Sequence, residues 1–103
     1  MKYQLVIQFP GESKDDFEEL IEIEKDLDKQ LTTDAEVDGH DFGSGQMNIF
    51  ILTNEPGVTF NKVKNILSKK KNIFLNMKAA YRDIKDKNFN ILWPKDLTKF
   101  EVI

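Results

Sequence analysis

Two strand-like runs, residues 35–42 and 47–53, are joined through Gly43-Ser44-Gly45, a connection short enough to force antiparallel pairing in a hairpin. The second run, Met47-Asn48-Ile49-Phe50-Ile51-Leu52, is apolar at every position but Asn48. Successive strand residues point to opposite faces, so a run apolar on both is either central in a sheet and covered on both sides, or partly covered by a partner. A hairpin alone cannot cover it. The chain is therefore committed to a larger sheet with a layer packed against it.

The remaining segments supply that sheet and layer. Residues 2–9 alternate Tyr3, Leu5, Ile7 and Phe9 with Lys2, Gln4, Val6 and Gln8, the period-two pattern of a strand with one buried and one wetter face. Pro10-Gly11 ends it. Ser13 then opens a helix: its hydroxyl is placed to accept from the free amide of Asp16, and Asp15 and Asp16 lie in the first turn, where the helix dipole favours negative charge. Phe17, Leu20, Ile21, Leu27 and Leu31 recur at helical spacing over about 18 residues. Asn54-Glu55-Pro56-Gly57 is turn chemistry, and a second helix runs from there to Lys69 with Phe60, Val63, Ile66 and Leu67 on one face. Residues 74–84 and 89–93 read as strands around a turn at 85–88, with Pro94 closing the second. The tail, 95–103, keeps a short alternation in Phe100 and Val102 that suits an edge strand or a cover for one.

The order strand, helix, strand, strand, helix, strand, with short connections and right-handed crossovers, leads to an α+β fold of the ferredoxin-like, split βαβ kind. Its antiparallel sheet carries two helices on one face and an added C-terminal hairpin strand. With 103 residues, 40% of them apolar, there is material for one core, so residues 1–103 form a single domain.

Composition removes several classes of function. The chain has no cysteine, which excludes a disulfide framework, a thiolate metal site and a redox dithiol, and which suits a reducing compartment; the expected location is cytoplasmic. No window approaches the ~18 apolar residues of a membrane span, and the first residues run into a strand pattern instead of a secretory leader, so no membrane association is expected. The net charge of −3 hides segregation: residues 12–41 carry thirteen acidic side chains against Lys14, Lys25 and Lys29, whereas residues 62–87 carry nine basic ones against Asp83 and Asp86. On adjacent helices these blocks neutralise each other; on open surface they steer a charged partner.

The densest polar run is Glu36-Val37-Asp38-Gly39-His40-Asp41-Phe42-Gly43-Ser44-Gly45, with the only histidine. On a regular strand Glu36, Asp38 and His40 share one face and Asp41 takes the other. An imidazole among carboxylates is suited to acid or base work near neutral pH. A metal set is poorly served, because there is no second histidine and alternate strand residues stand about 7 Å apart. No metal and no cofactor are expected. Gly43-x-Gly45 lacks a third glycine and leads into a strand, where a dinucleotide fingerprint opens a helix. A nucleophile elbow around Ser44 would need glycine at Phe42 and Gln46. The two glycines are expected to serve positive φ in the turn.

Nine basic side chains interleave with Phe74, Tyr81 and Phe89, but the chain is acidic overall and neither central strand has the basic, aromatic signature of an RNA-binding sheet, so nucleic acid is not expected as a partner. Tyr81-Arg82 and Trp93-Pro94 form a second cluster of side chains favoured as interface anchors. Arg82, the only arginine beside fourteen lysines, suits a bidentate contact to a carboxylate such as Asp38 or Asp83, with Trp93 sealing the edge of the core.

The run from Glu36 to Ile51, together with Met77-Lys78-Ala79-Ala80-Tyr81-Arg82 and Leu92-Trp93-Pro94, resembles a family of small bacterial proteins of uncharacterised function. The resemblance spans most of the chain and marks Asp38, His40, Asp41, Gly43, Gly45, Asn48, Tyr81, Arg82 and Trp93. It implies a stand-alone bacterial protein and no particular activity.

The expectation is a non-catalytic binding protein whose site comprises Asp38, His40, Asp41, Asn48, Tyr81, Arg82 and Trp93, centred on one sheet surface that brings His40 near Arg82. A small acidic domain of this kind suits neutralisation of a protein partner, as in immunity proteins. Two other classes stay open: a homodimeric regulatory module that binds a ligand at a sheet edge, and a small enzyme using His40 with Asp38 or Asp41.

Overall fold

The computed structural model describes residues 1–31, 33, 35–70 and 76–103. Along the chain come β1 (Tyr3–Pro10), α1 (Lys14–Gln30), β2 (Ala35–Gly43), β3 (Gln46–Thr53), α2 (Pro56–Leu67), β4 (Lys78–Asp83) and β5 (Asn90–Trp93). The strands form one antiparallel five-stranded sheet in the order β2-β3-β1-β4-β5. β3 lies inside the sheet, as its two-sided apolar character requires, and β1, buried from Leu5 to Phe9, lies between β3 and β4.

α1 is built as its sequence dictates. The Ser13 hydroxyl accepts from Asp16 N at 3.0 Å, and the Asp16 carboxylate accepts in return from the Glu12 and Ser13 amides, a capping box that satisfies amides left free by the helix start. Leu20, Ile23 and Leu27, with Leu31 just past the end, are buried at helical spacing. Phe17 departs from that stripe. It is 37% exposed and lies edge-on to the rings of His40 and Phe42. α2 starts with Pro56 in its first turn, where a missing N–H costs nothing, and buries Thr59, Phe60, Val63 and Leu67.

Both helices lie on one face of the sheet, where Leu20, Ile23, Leu27, Phe60, Val63 and Leu67 pack over Leu5, Ile7, Ile49, Ile51 and Ala79 in one continuous core. Where acidic α1 and the basic end of α2 meet, Lys70 Nζ stands 3.7 Å from Glu19, and Asp26 and Gln30 face Asn65, Lys69 and Lys70 across a groove. Mutual neutralisation is thus local to this end of α2. Lys78 and Arg82 of the same basic block sit on β4 instead.

Three sequence expectations need correction. The hairpin loop has two residues, Ser44 at φ 54° and Gly45 at φ 79°, which is the type I′ pair that follows the strand twist. Gly43 is the last paired residue of β2 and needs no positive φ. β4 begins at Lys78, opposite Gln8, instead of at Phe74; Phe74 and Leu75 lie outside the described residues. The register of β2 slips between Val37 and Gly39, with Gly39 at φ 134°. A bulge offsets the two-residue period, so every side chain beyond it changes face.

Candidate functional site

The bulge decides which expected residues can meet. Before it, Glu36 pairs with Leu52; after it, His40 pairs with Ile49 and Asp41 with Asn48. Directly paired residues share a face. His40 therefore stands on the helix face with Ile49, while Glu36 and Asp41 stand on the opposite, open face. Asp38 is the extra residue of the bulge, beside α1.

At the corner between α1 and β2, His40 Nδ1 is 3.0 Å from both Oε1 and Oε2 of Glu24. An ionised carboxylate can only accept, so Nδ1 carries the proton that it donates. Phe17 covers the imidazole from one side, with ring centroids 5.9 Å apart. The Glu24–His40 pair is partly open to solvent, at 20% and 31% exposure. Next to it, Glu24, Lys25 and Asp28 of α1 face Val37, Asp38 and Gly39 of β2 across an open groove of about 310 Å³. Glu24 is a partner that local spacing in the sequence did not give, since it lies 16 residues from His40 on another element. Its place on α1 one turn from Leu20 and Leu27 was the available signal.

Arg82 is on the other side of the sheet. It pairs with Gln4, whose Oε1 accepts from Arg82 Nε at 2.9 Å, and Nη1 donates to the carbonyls of Ile84 and Asp86. The expected carboxylate brace to Asp38 or Asp83 is replaced by an amide and two backbone oxygens, which hold the turn after β4. His40 and Arg82 thus lie on opposite faces, and the single surface expected to join them is not formed. Tyr81, on the helix face, meets Tyr3 edge-on at 5.6 Å. Trp93 packs against the core beside Phe60, and Lys64 Nζ lies 5.2 Å from each of those two rings.

Asn48 anchors a third cluster, on the open face. It is fully buried, and its Oδ1 accepts from Gln8 Nε2 at 2.9 Å. Gln8 Nε2 and Gln46 Nε2 both donate to the backbone oxygen of Glu101, at 2.8 and 3.2 Å, and Gln46 Oε1 accepts from Ile103 N at 3.1 Å. The tail, expected to add an edge strand or cover one, adds no strand among the described residues, and it lies instead on the open face of the interior strands β1 and β3, with Phe100 edge-on to Phe89. Val6 and Ala80, which face away from the helices, are fully buried.

Among the described residues no group of three or more His, Asp or Glu side chains is placed to hold a metal ion, and no helix is long and apolar enough to cross a membrane. No family model matches the chain, and no curated protein matches it. Among solved structures it is similar to a de novo designed protein, Foldit4, with 15% identity and a TM-score of 0.49 over 80% of this chain and 94% of that one.

Proposed function

We propose that this protein is a non-catalytic binding module that captures a basic protein partner at the corner of α1 and β2, as an immunity protein captures an effector in a bacterial cytoplasm. The observation that carries this reading is the convergence of Glu24, Asp28 and Asp38, from two elements, on one open groove. Exposed Glu36 and Asp41 add negative charge on the other face of the same edge strand. Carboxylates on an edge oppose pairing with a second copy of the same acidic strand and favour a partner of opposite charge. We read the sheet as ferredoxin-like, split βαβ, with β5 added; the adjacency of β1 to both β3 and β4 supports that plan.

The test is titration calorimetry against the purified product of the adjacent gene. A genuine partner binds more weakly as salt rises, because exposed charges more than a Debye length of ~8–10 Å apart are screened. The triple reversal Asp28→Lys, Glu36→Lys, Asp38→Lys is expected to weaken binding at least ~10-fold, chiefly through the association rate. Binding that ignores both salt and the reversal would end this reading. A second reading, a small enzyme at His40, is favoured only by the Glu24–His40 pair. Glu24 takes the role expected of Asp38 or Asp41.

A further inference from the structure

On the open face of the sheet, side-chain amides meet the backbone of the tail. Gln8, Gln46 and Asn48 sit on adjacent strands, and Gln8 and Asn48 are directly paired. Two of them address segment 99–103 through its main-chain atoms: Gln8 and Gln46 each donate to Glu101 O, and Gln46 Oε1 accepts from Ile103 N, while Asn48 braces the two glutamines. Specificity by side chain is left to Phe100 and Val102, both half-buried and two residues apart, while Lys99 and Glu101, which alternate with them, are well exposed and ion-paired at 3.2 Å. This is the recognition pattern of an extended segment: main-chain hydrogen bonds for affinity and alternate side chains for selection.

The side chains of the seat also hold one another. Gln8 Nε2 donates to the Asn48 oxygen, and Asn48 Nδ2 stands 3.4 Å from Gln46 Oε1, so the amides turn their remaining valences to water when the tail leaves. An apolar seat would instead expose its whole lining.

We propose that this face is a docking site for an extended protein segment carrying an aromatic and a branched aliphatic residue two positions apart, and that segment 99–103 is its competitor in cis. This inference is independent of the acidic corner, which lies on β2 and α1.

The experiment uses the full chain and a fluorescent peptide, Lys-Phe-Glu-Val-Ile, matching segment 99–103. In the wild-type protein the tail occupies the seat and the peptide binds poorly. The full-length double variant Phe100→Ser, Val102→Ser weakens the competitor and leaves the amides intact, so peptide affinity is expected to rise at least ~10-fold, in proportion to the freed fraction of seats. Adding Gln8→Ala, or methylating the peptide nitrogen of the final Ile, is expected to cancel that gain. Unchanged affinity in a folded double variant overturns the proposal, and so does failure of that variant to fold, because a displaceable segment cannot be essential to the core. In the wild-type chain the Ile103 amide is expected to exchange with solvent at least ~100-fold faster than the Ile7 amide, reporting local release without global opening. Equal protection of the two overturns the proposal as well.

Discussion

The two faces of the sheet are held by different physics. On the helix face, aliphatic and aromatic side chains from two helices and five strands share one apolar core, and stability there comes from area removed from water. Among the described residues no helix packs on the open face, and a stretch of tail is fixed there through main-chain atoms by Gln8 and Gln46, on the face that also holds buried Val6 and Ala80. A polar cover contributes little net free energy per bond, because water satisfies the same groups when it lifts. One face is therefore committed to the fold, and the other is available for exchange.

The comparison can be tested by removing one side chain from each face. Ile7→Ala empties a fully buried position beneath the helices and is expected to cost about 2–5 kcal/mol in urea unfolding, the transfer term plus a cavity. Asn48→Ala on the open face is expected to cost about 1–3 kcal/mol, since Gln8 loses a buried acceptor, and to raise amide exchange in the tail before it touches the core. If Asn48→Ala proved as costly as Ile7→Ala, the open face would be core and the contrast would fail.

Smaller effects are expected at the α1–β2 corner. Gly39 holds φ 134° with open space around the position of a side chain, so Gly39→Ala tests backbone strain alone and is expected to cost about 1–3 kcal/mol. A loss near zero would mean that the bulge relaxes, returning His40 to the face of Glu36. His40→Ala removes a partly exposed bond to Glu24 and is expected to cost less than about 1 kcal/mol. A melting temperature that stays within a few degrees leaves His40 free for partner contact.

Much of the architecture was readable because it rests on local rules. The Ser13 cap follows from one hydroxyl three residues before an amide, the hairpin from a short glycine-bearing connection whose two-residue turn only the pairing of Gly43 revealed, and the buried face of β1 from alternation. Tertiary decisions were not readable in the same way. The bulge turns on Gly39, which carries no pattern of its own in the sequence, yet it moves His40 away from Glu36 and toward α1. The amide seat was hidden because Gln8 and Gln46 look like ordinary wet positions, and the partner of Gln8 is a carbonyl 93 residues away that offers no side-chain signal. Val6 and Asn48 were the clues: an apolar residue on the wetter face of β1 and a polar one in an apolar strand both imply cover on the side without helices.

The smallest expected effect concerns acid, and it falls on the helix layer. The Asp16 carboxyl is held below its ordinary value by the groups of the cap that bond to it, first the Glu12 amide, then the Ser13 amide and hydroxyl. A carboxylate with a lower value folded than unfolded adds stability that is fully present above the unfolded value and is lost as pH falls through the folded one. The start of α1 should therefore loosen in acid, below the ordinary carboxylate range, while the amides of the open face, which do not titrate, keep the tail in place. Asp16→Asn is expected to flatten the acid limb of a plot of urea midpoint against pH, with little change at neutral pH beyond the lost cap. A limb of unchanged slope would assign the acid sensitivity to other carboxylates. Tail amide exchange that accelerated together with that of α1 would show that the two faces are coupled after all.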